Sequence, residues 1–453
     1  LIDQWFMPAG RKHWADWFLK EHHRFTITGL SRSGKSMLFT SLMTMLRYRS
    51  EGRYECLPLL EHLPMALVEH MWIAPLEGFA MFEVEAHLDA LENQRWPAPT
   101  EDVYGFKLVV RLRQSGAVKK YLLPYTDIEF EFIDYPGEWL TDLPMLQKSF
   151  QQWSDSAWAQ QMNRPQRDYA GVWHDAVNDF DFDQPPTPEA IRHLLEQYRG
   201  YLSHAKQNGI TLLQPGSFLL GTKGYDWEQH GFTPLPSAVS SDITHPWTRH
   251  FSANYKHFQQ KWLKSLQQKT FKQADKQIIL IDLFEGLNHS KQHLYQLKET
   301  LSHLADTFQY GEDNWFSRHV LRQRSISKVA FVAAKADLIP AAHRDQLLVL
   351  LKQVTEGARA RFADKSVQFE HFLVSALTAT DPGSTPTSLR YINEQRKYIE
   401  ADFEPLPDTL AQMSAQEHFP VLPAQVPEDY LPRILNGRGM DRLLQFLLGD
   451  QHE

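Results

Sequence analysis

Gly29-Leu30-Ser31-Arg32-Ser33-Gly34-Lys35-Ser36 is the stretch on which the reading of this chain turns. It matches G-x-x-x-x-G-K-[ST] in full, a pattern that average residue usage would produce roughly 0.02 times in a chain this long. Its surroundings agree. Residues 24–29, Arg-Phe-Thr-Ile-Thr-Gly, are rich in β-branched and aromatic side chains and read as a short strand. Met37, Leu38, Leu42, Met45 and Leu46 recur at helical spacing from Ser36 to about Arg49. Strand, glycine turn and helix N-terminus, in that order, make a cradle for phosphate. The glycines let the backbone turn tightly and aim N–H groups at anionic oxygens, and the new helix adds partial positive charge. Lys35 then reaches the outer phosphates as a point charge, and the Ser36 hydroxyl is a hard oxygen donor suited to Mg²⁺.

A second phosphate element lies downstream. Residues 103–112 and 125–133 read as two strands joined by a hairpin turn at Gln114-Ser115-Gly116. The second ends at Asp134-Tyr135-Pro136-Gly137, a D-x-x-G pattern. A carboxylate at the carboxyl end of such a strand holds Mg²⁺ through water, and the glycine N–H senses the last phosphate. Asp102-Val103-Tyr104-Gly105 has the same letters but precedes its strand, so it is set aside. Glu138 follows at the position that orients the attacking water, where Gln is common. Phosphate repels a carboxylate there unless a cation shields it, so Glu138 reads either as a water-orienting group or as a solvated or structural one. Thr100, in Trp96-Pro97-Ala98-Pro99-Thr100-Glu101, stands where a switch threonine completes Mg²⁺ coordination, with a turn residue as the alternative. Arg32 reads as a cis arginine finger or as a group facing solvent or a partner.

The base-reading element is Val332-Ala333-Ala334-Lys335-Ala336-Asp337, which follows the [NT]-K-x-D guanine pattern with one departure. Asp337 can accept two hydrogen bonds from guanine N1–H and its amine, a pattern adenine does not offer. The Lys335 stem can cover one face of the base. Ala334 replaces the Asn or Thr and cannot hydrogen-bond, which weakens affinity by about 1 kcal/mol. Ser375-Ala376-Leu377, after the next apolar strand, matches the S-A-x element whose backbone meets the guanine oxygen. Thr222-Lys223-Gly224-Tyr225 is a decoy whose acid, Asp226, comes too late.

Between the phosphate and base elements the chain changes character. From about Leu140 to Lys276 it is Gln-, His- and Trp-rich and helical. One amphipathic helix is expected from Pro188 to about Lys206, with Thr187 as N-cap and Gly209 past its end; another stripe is Phe251, Tyr255, Phe258, Trp262 and Leu266. Strands at 277–284, 328–334 and 369–374 then alternate with helices at 290–308 and 342–362, and Asp282 reads as a buried acid with a structural hydrogen bond. The Pro-rich stretch 380–435 is expected to run extended over the surface before a last helix at Met440–Leu447. This pattern predicts an α/β, mostly parallel, doubly wound sheet of the P-loop NTPase kind, built from 1–140 and 276–453, with 141–275 as a mainly helical insertion.

Composition narrows the classes. The 453 residues are 42% hydrophobic and 23% charged, which suits a folded protein that needs no disulfide or metal staple. A single cysteine, Cys56, excludes an intramolecular disulfide and fits a reducing compartment. Lys and Arg number 47 against 55 Asp and Glu, a net of −8 that argues against general nucleic-acid binding. No run is apolar enough for a transmembrane helix, and the stretch from Leu1 lacks a signal-peptide pattern. The expectation is a cytoplasmic protein, with a peripheral contact at the inner membrane left open. Histidines number 21, yet no H-E-x-x-H or paired Cys/His spacing marks a zinc site.

The phosphate loop, Asp134-Tyr135-Pro136-Gly137-Glu138-Trp139-Leu140 with Asp142-Leu143-Pro144, the late Lys335-x-Asp337 and Phe446-Leu447-Leu448-Gly449-Asp450 together resemble the bacterial YcjX family over nearly the whole chain. The resemblance implies a P-loop, GTP-binding protein of the phage-shock stress response. It implies GTP or GDP and Mg²⁺ at residues 29–36, Thr100, Asp134, Gly137, Lys335, Asp337 and 375–377. The family more usually has Thr where Ala334 stands. The expected function is therefore a slow, Mg²⁺-dependent GTPase that reports its nucleotide state to an unidentified protein partner through residues 134–150 and the insertion. The residues alone leave two rivals: an ATPase, given Ala334, and a nucleotide-stabilised scaffold with negligible turnover, given Glu138.

Overall fold

Short apolar runs become strands of one sheet here because helices cover both of its faces. The computed structural model describes residues 22–30, 32–50, 68–98, 103–113, 125–220, 225–266, 274, 276–307, 326–361, 367–414, 419 and 421–448. The sheet strands are β1 (His22–Gly29), β2 (Val68–Pro75), β3 (Ala80–Met81), β4 (Tyr104–Arg113), β5 (Tyr125–Asp134), β6 (Lys276–Ile281), β7 (Lys328–Ala333) and β8 (Gln368–Leu373). Their order is β2-β4-β5-β1-β6-β7-β8, with β3 beside β4. From β5 to β8 every neighbour is parallel, while β2, β4 and β5 pair antiparallel. The sheet is thus mixed but mostly parallel, and β6 and β7 are buried at every residue, as central parallel strands are.

The α-helices of six or more described residues are α1 (Lys35–Ser50), α2 (Val84–Glu92), α3 (Gly137–Asp142), α4 (Phe150–Gln161), α5 (Gly171–Asn178), α6 (Pro188–Gln207), α7 (Pro246–His257), α8 (Leu283–His289), α9 (Lys291–Thr307), α10 (Arg344–Val354), α11 (Tyr430–Leu435) and α12 (Met440–Leu448). On one face of the sheet, Phe39 and Leu42 of α1 and Leu443 and Leu447 of α12 pack with Phe106 and Phe130. On the other, Leu287, Leu294 and Leu347 of α8–α10 pack with Ile279 and Phe331. The C-terminus of α12 is closed by two buried lysines at the starts of β6 and β7. Lys276 donates to the Leu447 carbonyl and Lys328 to that of Phe446, placing cations where the helix is partially negative.

Residues 137–220 and 225–266 form a helical region with an aromatic core of its own, including Trp153, Trp173, Tyr198, Trp247, Phe251 and Tyr255. Its longest helix, α6, starts where the caps predict: Thr187 Oγ1 accepts from the Ala190 N–H, and Pro188 is the first helical residue. Gly209, at φ +94°, follows its end. Beyond α7 the chain widens into a π-helical turn, Phe258–Leu263, which keeps Phe258 and Leu263 buried.

Several elements differ from the sequence expectation. Residues 380–435 are not merely extended: β9 (Thr380–Pro382), β10 (Ser388–Ile392) and β11 (Tyr398–Asp402) form a small antiparallel sheet, and α11 follows. Buried Leu389, Tyr391 and Ile392 anchor it, but runs this short do not stand out among prolines. The stretch 342–362 breaks at Thr355 into α10 and a short helix, Glu356–Ala360. Asp282 lies past β6, where it N-caps α8 by accepting from the Phe284 N–H at 2.9 Å. The Gln114-Ser115-Gly116 turn and most of the Thr222 decoy lie outside the described residues.

Candidate functional site

The loop after β1 is shaped by its glycines. A Cβ on Gly29 would stand 2.6 Å from Ser33 Oγ and 2.7 Å from the Leu280 carbonyl oxygen, so only glycine fits. Gly34 takes φ +88° and Arg32 φ +60°, left-handed turns that fold the loop over the start of α1. Lys35, the first residue of α1, is buried, and its ammonium donates to the carbonyls of Gly29 at 2.9 Å and Leu30 at 3.1 Å. Burial pulls its pKa below the usual lysine value, while the charges of Asp134 and Glu138 oppose that shift. Asp134, fully buried at the end of β5, is level with Ile27 on β1, next to the loop.

The residues expected to read a base stand at the same edge of the sheet, after β7 and β8. Lys335 adopts a left-handed backbone, and its ammonium pairs with Asp282 Oδ2 at 2.7 Å. Asp337 is buried; its Oδ2 accepts from the Ala379 N–H at 2.8 Å, and its main-chain carbonyl accepts from Thr380 Oγ1 at 2.6 Å. Burial pushes its carboxyl pKa up, against the pull of the Ala379 N–H and the Ser375 hydroxyl. Ala334 faces the phosphate loop: a Cβ on Gly34 would sit 3.3 Å from the Ala334 methyl.

Between these two groups opens a cavity of about 560 Å³. Arg32, Gly34, Lys35, Ser36, Gly137 and Glu138 line one end, and Lys335, Asp337, Ala376 and Leu377 the other. Gly29, Leu30, Ser33, Asp134 and Ser375 do not line it; they belong to the loops and strand ends that shape it. Ser31 and Thr100 lie outside the described residues. Trp96 and Pro97, with Val421, Leu422 and Ala424, close a further wall. The Trp96 indole donates to the Ala424 carbonyl at 3.1 Å.

Glu138 is buried rather than solvated, and Lys206 Nζ from the last turn of α6 stands 2.9 Å from its Oε1. Burial would push the Glu138 carboxyl up, but the charge and hydrogen bond of Lys206, helped by Lys35, hold it below the usual glutamate range.

The model of the YcjX-like family matches residues 23–452. The chain belongs to that family. Two YcjX relatives support the assignment, both named Ras-like GTPase YcjX. The one from Escherichia coli is 25% identical over 451 residues, covering 95% of this chain and 96% of the relative. The one from Shewanella oneidensis is 25% identical over 481 residues, covering 95% of each chain.

In this YcjX-like chain the residues fit a polyphosphate with Mg²⁺. The glycine cradle admits no side chain at Gly29, a buried ammonium closes it, and Ser36 and Asp134 are hard oxygen donors of the kind Mg²⁺ takes. Among the described residues no group of three or more His, Cys, Asp and Glu is placed to hold a metal by itself, so such a cation would share its ligands with phosphate and water. No helix among the described residues is long and apolar enough to cross a membrane. Sequence reading missed Lys206 and the place of Trp96, and it read Asp282 as a buried acid without its pairing to Lys335. The only local hint for Lys206 was a basic residue in the last turn of an amphipathic helix.

Proposed function

We propose that this chain binds guanine nucleotide with Mg²⁺ and hydrolyses GTP slowly, as the name of its relatives says of them. The observation that carries the reading is one cavity joining Lys35 and the glycine loop to Asp337, Ala376 and Leu377. Lys35 and the loop N–H groups hold the phosphates; Asp337 accepts from the guanine edge, and the Ala376–Leu377 backbone faces its oxygen. Ser36 and Asp134 are the ligands proposed for Mg²⁺, with Thr100 a further candidate; when bound, the ion neutralises charge on the outer phosphates. Gly137 offers its N–H to the terminal phosphate, and Glu138 stands where the attacking water is oriented. Turnover is on the order of 10⁻⁴ to 10⁻² per second without a partner.

We further propose that residues 1–140 and 276–453 make the nucleotide-binding domain and 141–275 an insertion that reads the state of α3. Three contacts support this: Glu138 with Lys206, Trp139 edge-to-face on Trp262 at 5.1 Å, and Asp142 with the Gly216 and Ser217 N–H groups. Titration of the nucleotide-free protein with GTP, GDP and ATP, and phosphate release by wild type and Lys35→Ala, test the reading. Guanine nucleotides should bind more tightly than ATP, and Lys35→Ala should lose binding and turnover. Equal affinity for ATP would replace it with the ATPase reading. Phosphate release no faster than that of Lys35→Ala would leave a nucleotide-stabilised scaffold.

A further inference from the structure

Glu138 raises a problem of charge. It lines the phosphate end of the cavity with Lys35 and Arg32, and a bare carboxylate on that wall opposes a polyphosphate. The answer comes from α6. Lys206 Nζ stands 2.9 Å from Glu138 Oε1, with the Glu138 side chain only 9% exposed. The last carbonyls of α6 are themselves partially negative, so the ammonium offsets both sources of repulsion.

The end of α6 is fixed over the phosphate loop by contacts independent of this pair. Gly209 is so close that a Cβ there would lie 3.1 Å from Arg32 Nη1. Thr211 then gives its N–H and hydroxyl to Glu285 at 2.9 and 2.6 Å, and Gly216 and Ser217 give their N–H groups to Asp142 at 2.6 and 2.9 Å. The space behind the ion pair, lined by Ile210, Leu213 and Leu219 among others, is about 10 Å³. Glu138 is thus enclosed on that side, while the Lys206 side chain, 34% exposed, keeps access to water.

We propose that Lys206 determines specificity for a nucleoside triphosphate over a diphosphate: by neutralising Glu138 it lets the terminal phosphate occupy the Lys35–Gly137 end of the cavity. The proposal rests on the guanine-nucleotide reading above. A diphosphate lacks the terminal group and brings less charge to that wall, so it depends less on the pair.

The test uses the full chain as wild type, Lys206→Met, Glu138→Gln and the double variant, titrated with GDP and with a non-hydrolysable GTP analogue. Lys206→Met should lose about tenfold in analogue affinity while GDP affinity stays within about twofold. Glu138→Gln, which keeps the ammonium and removes the carboxylate, should raise the preference for the analogue. The double variant should recover the wild-type preference. Equal loss of both ligands in Lys206→Met, or a Glu138→Gln preference no higher than wild type, overturns the proposal, and the second result needs no folded Lys206→Met protein. A wild type that binds neither ligand overturns the guanine-nucleotide reading itself, and Lys206 falls with it.

Discussion

Two glycines show what single positions contribute. At Gly29 an added methyl meets Ser33 Oγ at 2.6 Å and the Leu280 carbonyl at 2.7 Å, and the second is backbone that cannot step aside. Gly29→Ala should cost about 1–3 kcal/mol in urea unfolding and abolish nucleotide binding, because the loop must shift to admit it. Gly200, inside α6, has open space where a Cβ would go. Gly200→Ala should instead stabilise by about 0.5–1 kcal/mol, through the helix propensity of alanine alone, with nucleotide affinity unchanged. If both variants behave alike, the close approach at Gly29 is not what demands glycine. At this scale the phosphate loop was legible because its chemistry is local: eight consecutive residues hold the turn, the ammonium and the hydroxyl. Lys206 was not, because nothing near it in the chain says that α6 ends beside Glu138.

Elements carry a different kind of evidence. β6 and β7 were legible as apolar runs because both of their faces are buried; β2, an edge strand with residues of intermediate exposure, and the five-residue strands β10 and β11 lack that signal. The tie between α3 and the 216–220 turn was equally hidden, since it rests on one carboxylate and two backbone donors. Asp142→Ala leaves the Gly216 and Ser217 N–H groups buried without an acceptor and should cost about 2 kcal/mol or more, with faster amide exchange at 216–220. Unchanged exchange there would show that the turn holds itself. On β8, His371 accepts or donates to Thr355 Oγ1 at 2.8 Å and stacks on Phe331. Burial pushes its pKa down to about 4. The unfolded chain then takes up the proton first, so the contribution of the neutral ring is complete above pH about 6.5 and is lost as pH falls toward 4. The urea midpoint of the wild type should drop between pH 7 and pH 5 by more than that of His371→Gln; parallel curves would remove His371 from the account.

Across the whole molecule, sheet order does the positioning. With β1 between β5 and β6, and β7 and β8 beyond, the carboxyl ends of these parallel strands bring together loops far apart in sequence. The sheet has a core on each face and the helical region a third of its own, but Leu140, Leu143, Leu212 and Leu266 of that region are buried in the second core, so the two are joined. Among the described residues the helical region's contacts with the proposed switch include Lys206 on Glu138, Trp262 on Trp139, Gln214 Nε2 on the Thr141 carbonyl, and the 216–217 turn on Asp142. These contacts, together with the chain that runs directly from α3 into 143–147, are the routes by which a change at α3 would reach the helical region. Hydrogen exchange of the GDP form and of the GTP-analogue form should differ at 137–147, 206–217 and 258–263, with the buried strands β6 and β7 unchanged in both. Indole fluorescence should shift with the same ligand dependence, and Trp139→Phe should remove most of that shift, because Trp139 and Trp262 meet at this seam. Exchange patterns that coincide for the two nucleotides across residues 141–276 would mean that the helical region does not read the nucleotide, and that its contacts with α3 serve only to hold it in place.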